Sequence, residues 1–369
     1  MSTGPEVYLI TCGPGTETYS IYGHTALRIV MPDNQSDIVY NWGLFDFSTP
    51  NFAWKFAKGR LDYILGTEPF QRFLQSYFYE QRYVYSQRIN LETKEMEILL
   101  GLIAENLKPE NIRYRYDFFY DDCSTRIRDL LEKSIGENLL YPPVESSEMP
   151  TFREMVGKYQ ISKPWLNFGI NLIMGANADK KAIFRDRMFL PVDMMTGLSE
   201  SVIRREGKMV PLLQNPDVIL DFDVPPVKPR FYSSPVVVFT LLFIVIIILS
   251  ALIKKAGMNK LIDYVIYTAF SILAILMIFF SFFSDHQQMK WNLNIIWLNP
   301  FIIFCLISLI LKKEGLIWYR FVFYMSTGFL LIHIFLPQDF DISLIPLTII
   351  LLIRSSMRAQ FEWNPMSIR

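Results

Sequence analysis

Polar and apolar positions alternate over 6–12, 24–31, 37–46 and 113–120, which predicts strands; apolar residues recur every three or four positions over 67–80, 93–106 and 123–136, which predicts helices. This interleaving predicts an α+β domain over 1–160, in which Pro142-Pro143 marks a break. Beyond 233 the apolar positions run on without alternation, in segments 235–253, 261–283, 293–311, 316–335 and 340–353. The first four are long enough to cross a hydrocarbon core of about 30 Å, whereas the fifth is short, carries Pro346, and is expected to tilt little, thin the bilayer or re-enter. A helical transmembrane bundle of about five helices over 234–358 and a cytoplasmic tail over 359–369 follow from this pattern.

The intervening 161–233 reads as an exported extension rich in Met and Pro. Within it, Trp165 to Met174 is too short to span, and two readings stay open: a helix lying at the membrane surface or a buried core helix. Pro225, Pro226, Pro229 and Pro235 predict a stiff tether.

Charge changes the picture by assigning sides. Lys254, Lys255 and Lys260 follow the first apolar segment, and Lys312, Lys313 and Arg320 follow the third, so these connections are expected in the cytoplasm. Asp285 with a single Lys290, and Asp339 with Asp341, occupy the opposite connections, while Arg354, Arg358 and Arg369 place the C-terminus inside. An exported N-terminal domain needs a signal sequence. The opening Met1-Ser2-Thr3-Gly4-Pro5-Glu6 has neither a basic nor an apolar region, so the expectation is that the native signal was cleaved or replaced. A formal net charge of zero over 369 residues implies no nucleic-acid partner.

The candidate chemistry is defined by scarcity. Of three histidines only His24 precedes the apolar segments, and that region holds two cysteines, Cys12 and Cys123. Asp121 or Asp122 is a natural N-cap for a helix whose apolar face is Ile127, Leu130 and Leu131, which puts Cys123 in the first turn. There the unpaired N–H groups and the helix dipole favour a thiolate and supply oxyanion donors. Arg126 and Arg128 add positive potential, and the two aspartates oppose it. The competing reading makes Cys123 a small core residue. Cys12 ends a strand and enters a Gly/Pro turn, which makes it structural, although a Cys12–Cys123 disulfide is conceivable; Cys305 lies in an apolar segment as packing. Asn41, polar among apolar strand neighbours, is the expected orienter of His24, with a strand-end or turn role as its alternative and Tyr40 as the next candidate. No histidine or cysteine cluster has metal-ligand spacing, so neither metal nor cofactor is expected.

A histidine strand preceding a cysteine helix reverses the papain order and resembles the circularly permuted NlpC-like group, which includes lecithin:retinol acyltransferase-type enzymes. Leu9-Ile10-Thr11-Cys12-Gly13-Pro14-Gly15, Tyr22-Gly23-His24-Thr25-Ala26-Leu27-Arg28 and Asp122-Cys123-Ser124-Thr125-Arg126-Ile127-Arg128-Asp129, ahead of a membrane bundle, resemble the Bacteroides lipoprotein N-acyltransferase family. The resemblance implies a multi-pass inner-membrane enzyme with a periplasmic catalytic domain. It would move a fatty acyl chain from a phospholipid, through a thioester on Cys123, to the α-amino group of a diacylglyceryl-cysteine lipoprotein. Its Trp- and Asn-rich outer loop reads here as 284–300, which makes His286, Asn292 and Trp297, together with Arg126, the expected substrate contacts, while Gln287 stands where that family commonly has Pro. The alternative for this loop is an interfacial Trp belt, and His333, near the outer end of the fourth segment, is either functional or interfacial packing. Two rival functions remain at this stage: a membrane-anchored cysteine hydrolase of phospholipids or cell-wall peptides, and a non-enzymatic receptor or carrier.

Overall fold

The computed structural model describes residues 4–222, 230–253 and 256–360. The chain divides into two units, Met1–Tyr159 with Lys181–Pro226, and Gln160–Lys180 with Val227–Arg369. Pro225, Pro226, Pro229, Lys254, Lys255 and Arg369, on which the tether and part of the charge reading rest, lie outside the described residues.

The first unit is built on strands β1 (Glu6–Cys12), β2 (His24–Met31), β3 (Ser36–Leu44), β4 (Asp62–Pro69), β5 (Val84–Arg88) and β6 (Arg113–Arg115), then β7 (Leu139–Leu140), β8 (Val202–Arg205), β9 (Lys208–Pro211) and β10 (Asp217–Leu220). Its helices are α1 (Phe52–Ala57), α2 (Phe70–Tyr79), α3 (Thr93–Asn106), α4 (Cys123–Ile135) and α5 (Phe152–Tyr159); α6 (Pro164–Ile173) belongs to the second unit, and α7 (Pro191–Ser199) to the first. The main sheet runs β10-β5-β1-β2-β3-β4-β6 with every pairing antiparallel, and β7-β8-β9 form a small second sheet.

Strand alternation sends successive side chains to opposite faces. Val7, Leu9, Leu27 and Ile29 pack with Leu99 and Ile103 of α3 and with Ile127, Leu130 and Leu131 of α4. Ile10, Cys12, Ala26 and Val39 face Phe70, Phe73 and Tyr77 of α2. The histidine strand therefore precedes the cysteine helix in the chain and packs against it, as expected for the α+β domain.

Three elements differ from expectation. The predicted strand 113–120 stops at Arg115, because the Asp117 carboxylate takes the N–H groups of Phe119 (2.9 Å) and Tyr120 (3.1 Å) and turns the chain toward α4. The predicted helix 67–80 begins only at Phe70, since Glu68 and Pro69 are still paired with Val39 and Ile38 in the sheet. The stretch 161–233, read as one extension, is shared between the units. Phe184, Met188, Met194, Leu198 and Ile203 join the core around α4, and Arg205 pairs with Glu95 of α3, so this part returns to the first unit.

The second unit contains α6 and the helices α8 (Pro235–Leu252), α9 (Ala256–Ile278), α10 (Phe301–Ile310), α11 (Leu316–Ile332) and α12 (Leu344–Arg358). Pro235–Leu252, Gly257–Phe283 and Leu316–Phe335 are long and apolar enough to cross a membrane. The third predicted span is broken: Gln287–Ile296 and Phe301–Ile310 meet at a 56° bend. Pro300 brings no N–H to the ladder, and Asn299 Oδ1 takes the N–H of Phe301 (3.2 Å), so a new helix starts there. The fifth segment forms a continuous 15-residue helix. Pro346 sits in its first turn, where a missing N–H costs nothing.

One ionic cluster crosses the second unit's core. Asp263 of α9 and Arg354 of α12 are both buried and joined at 2.6 Å; Arg358 reaches the other carboxylate oxygen at 2.5 Å, and Ser250 of α8 accepts from Arg354 at 2.7 Å.

Candidate active site

Asp122 is the cap that starts α4. Its Oδ1 accepts the N–H of Thr125 (2.8 Å) while Thr125 Oγ1 accepts the N–H of Asp122 (2.7 Å), a reciprocal pair that fixes the first turn and hence the position of Cys123. Ser124 Oγ lies 3.9 Å from the Cys123 sulfur. Burial pushes the thiol up from its ordinary value, and the N–H groups of Thr25, Ser124 and Cys123 together with the Ser124 hydroxyl pull against it. Thr25 follows His24 in β2, so the sheet's downward pull on the thiol comes from the residue next to the candidate base.

His24 closes the β1–β2 ladder opposite Cys12. It enters the strand through Gly23, whose φ of +86° suits glycine, and a Cβ there would lie 2.8 Å from the Cys12 carbonyl oxygen. His24 Nε2 donates to Asn41 Oδ1 at 2.7 Å. An amide oxygen only accepts, so this bond places the proton on Nε2 and leaves Nδ1 with its lone pair free to take one. Asn41, not Tyr40, is thus the residue that holds the imidazole. His24 is bonded to Asn41 and the Cys123 sulfur neighbours Ser124 Oγ, with no direct hydrogen bond between His24 and Cys123. Burial pushes His24 down to about 4, against the upward pulls of Asn41 and Asp122.

The resting pair is accordingly a neutral imidazole and a neutral thiol, and this fixes a pH dependence. If His24 is the base, the acid limb of activity is expected near its value of about 4, with the rate flat from about pH 5 to about pH 8. Alkylation of Cys123 by iodoacetamide without lipid, followed by peptide mass mapping, is expected to keep rising beyond the ordinary thiol range of about 8.5. A plateau extending down to about pH 5 would instead reveal a preformed thiolate–imidazolium pair.

Sequence reasoning missed Tyr114, which it placed in a strand without a role. Tyr114 is 7 % exposed and its hydroxyl has no hydrogen-bond partner. Gly43, at φ +92° in the irregular β3–β4 register, leaves a gap: the point its Cβ would occupy is 3.7 Å from Cys123 Cβ and 4.0 Å from the Tyr114 hydroxyl. The orphan hydroxyl and Cys123 thus border one small space. A buried hydroxyl without a partner costs about 1–3 kcal/mol, a cost that a substrate oxygen entering this space would relieve. Only the folded chain shows that the hydroxyl is orphaned.

Arg126, expected to contact substrate, donates Nε and Nη2 to Asp121 (2.6 and 2.8 Å) and lays its guanidinium on the Tyr114 ring at 3.7 Å. Arg128 turns away to Asp129 and the Arg185 carbonyl. Cys12 is buried with its thiol pushed up to about 12 by that burial, and all three cysteines are free.

In the second unit the expectation for Asn292 and Trp297 is corrected. Asn292 is 3 % exposed and Trp297 fully buried. Asn292 and Asn294 donate to the Leu172 carbonyl at 2.9 and 3.1 Å, satisfying the open C-terminal end of α6, while Trp297 Nε1 donates to Asn294 Oδ1 at 2.9 Å. These residues lock α6 to the loop. Of the loop's two tryptophans Trp297 is therefore no part of an exposed belt, whereas Trp291 is 77 % exposed. The two readings of α6 resolve in part, with Phe168 and Leu172 buried in the bundle core and Trp165 outside it. His286 is half-buried at the start of a tight turn. His333 caps α11 and packs against Phe329 at 5.6 Å.

Residues 3–155 match the family model described as the Lnb N-terminal periplasmic domain, and residues 227–363 match the Lnb transmembrane domain. No curated protein and no solved structure matches the chain.

Proposed function

Because this chain belongs to the Lnb-type lipoprotein N-acyltransferase family, and is therefore a membrane lipoprotein-modifying protein with a periplasmic domain, we propose that it transfers a fatty acyl chain from a phospholipid to the α-amino group of a diacylglyceryl-cysteine lipoprotein. The observation that carries this reading is a thiol at the start of α4, a helix packed on β2, together with a β2 histidine whose tautomer is set by Asn41.

Cys123 attacks the ester carbonyl of the donor as its thiol proton passes to His24 Nδ1. The tetrahedral oxyanion is held by N–H groups at the start of α4 and by the Tyr114 hydroxyl, whose donor strength rises with the Arg126 cation stacked on its ring. Collapse expels the lysophospholipid alkoxide, which takes the proton from His24 and leaves the acyl thioester. The lipoprotein amine then attacks the thioester, His24 accepts its proton, and the Cys123 thiolate leaves and is reprotonated. Asn41 keeps the imidazole oriented in both halves. No step calls on a metal or cofactor.

The enzyme is placed in the inner membrane with the catalytic domain in the periplasm. Among the described residues Lys260, Lys312, Lys313, Arg320, Arg354 and Arg358 mark the cytoplasmic side, and Asp285, Asp339 and Asp341 the other.

Reconstituted full-length protein given a chain-labelled phospholipid and a diacylglyceryl-cysteine peptide is expected to yield triacylated peptide. Labelled free fatty acid with unmodified peptide would make it a hydrolase. Tyr114→Phe keeps the ring and removes only the hydroxyl, and is expected to lower kcat about a hundredfold with little change in KM, measured on the same assay. An unchanged kcat would remove Tyr114 from the oxyanion role.

A further inference from the structure

Beyond Gly43, β3 leads directly from the nucleophile into an aromatic surface. Phe45 packs against Tyr63 (5.1 Å), Phe47 (4.9 Å) and Phe52 (5.8 Å), and Tyr63 stacks on Tyr116 (4.0 Å). Phe45, Tyr63 and Cys123 belong to one packed cluster. Moving outward from Phe45, the rings come into the open: Phe47 is 67 % exposed, and Phe56, stacked on Phe52 at 6.4 Å, 49 %. Tyr19 meets Phe45 edge-on at 6.4 Å, Leu44 precedes Phe45 in the chain and is exposed, and Trp54, 57 % exposed, stands on another face of α1. The short helix α1 has the sequence FAWKFA and buries none of its residues.

Scattered exposed apolar residues are ordinary, but a contiguous aromatic patch continuous with a reactive centre marks a binding surface. Its charge narrows the choice of ligand. Lys55 lies within α1, and Lys58 Nζ stands 5.9 Å from the Trp54 ring. The nearby Asp46 carboxylate is occupied by the Ser48 N–H (2.8 Å) and hydroxyl (2.6 Å). Aromatic rings with lysines beside them fit a molecule with an apolar chain and an anionic head, as at a membrane interface.

We propose that the surface formed by Leu44, Phe47, Trp54 and Phe56 seats the acyl chain of the donor phospholipid, with Lys55 and Lys58 meeting its phosphate, and feeds the ester past Phe45 to Cys123. This rests on the acyl-transfer reading above. It adds the place where the donor lies before reaction and makes the surface serve the first half-reaction. The acceptor lipoprotein also carries long acyl chains, so the test separates the two half-reactions.

The test uses the full-length protein in phospholipid nanodiscs, comparing wild type with the triple variant Phe47→Ser, Trp54→Ser, Phe56→Ser. Three rates are followed by intact mass: Cys123 acylation by phospholipid, Cys123 acetylation by p-nitrophenyl acetate, and transfer from preformed acyl-enzyme to a diacylglyceryl-cysteine peptide. The variant is expected to lose about tenfold or more in the first rate and to stay within about twofold in the other two, because remote binding energy is used only where the chain is bound. Acylation of the triple variant by phospholipid at the wild-type rate overturns the proposal, as does a loss confined to peptide transfer, which would assign the surface to the acceptor. An equal loss with p-nitrophenyl acetate also overturns it, by making the rings structural supports of Cys123. Failure of the acyl-transfer reading itself appears separately, as wild-type protein that no phospholipid acylates.

Discussion

Cys123→Ala protein is expected to form no acyl adduct and to transfer no acyl chain, while its folding transition stays close to wild type. The substitution removes one sulfur from a half-buried helix-start position and leaves the Asp122–Thr125 cap intact. His24→Ala removes the proton acceptor and spares the nucleophile, so it should slow acylation by about 10²–10⁴-fold without abolishing it. Asn41→Ala should cost less than either, because it frees the imidazole without removing it. Acylation rates of the three variants, with circular dichroism melts alongside, check this order. A wild-type rate in Cys123→Ala would make Cys123 a packing residue.

The second large effect concerns stability. Asp263→Ala would leave Arg354 buried opposite no carboxylate and strip Arg358 of its partner. Breaking a buried pair from one side costs about 3–5 kcal/mol, far more than the pair contributes relative to apolar replacements. The expected result is a clear fall in melting temperature, read in detergent by a thiol-reactive dye reporting exposure of buried Cys305. Replacing Asp263, Arg354 and Arg358 together by apolar residues should recover most of the loss. An unshifted transition in Asp263→Ala would mean that the cluster does not hold α8, α9 and α12 together.

The two halves of the site were unequally legible in the sequence. β1, β2, α3 and the start of α4 follow from binary pattern and a cap, and His24 and Cys123 stand out because the exported region has so few alternatives. Asn41 could be named as a polar residue on an apolar strand, but its bond to His24 requires the register of β2 against β3. Tyr114 could not be found in this way, since an orphan hydroxyl is a property of everything around it. Asn292 looked like a recognition residue because its structural partner, the Leu172 carbonyl, lies 120 residues away in the chain. Asp263 was submerged in an apolar run. A lone carboxylate there, with two arginines in the last segment, was the available signal.

The central claim is a covalent acyl-enzyme on Cys123, and intact mass spectrometry of the full-length protein after incubation with phospholipid tests it most directly, with Cys123→Ala beside it. The account predicts a fatty-acyl mass increment on the wild type alone, removed by hydroxylamine as a thioester is. A wild-type chain with reduced, alkylatable Cys123 that gains no increment while triacylated lipoprotein accumulates would contradict it.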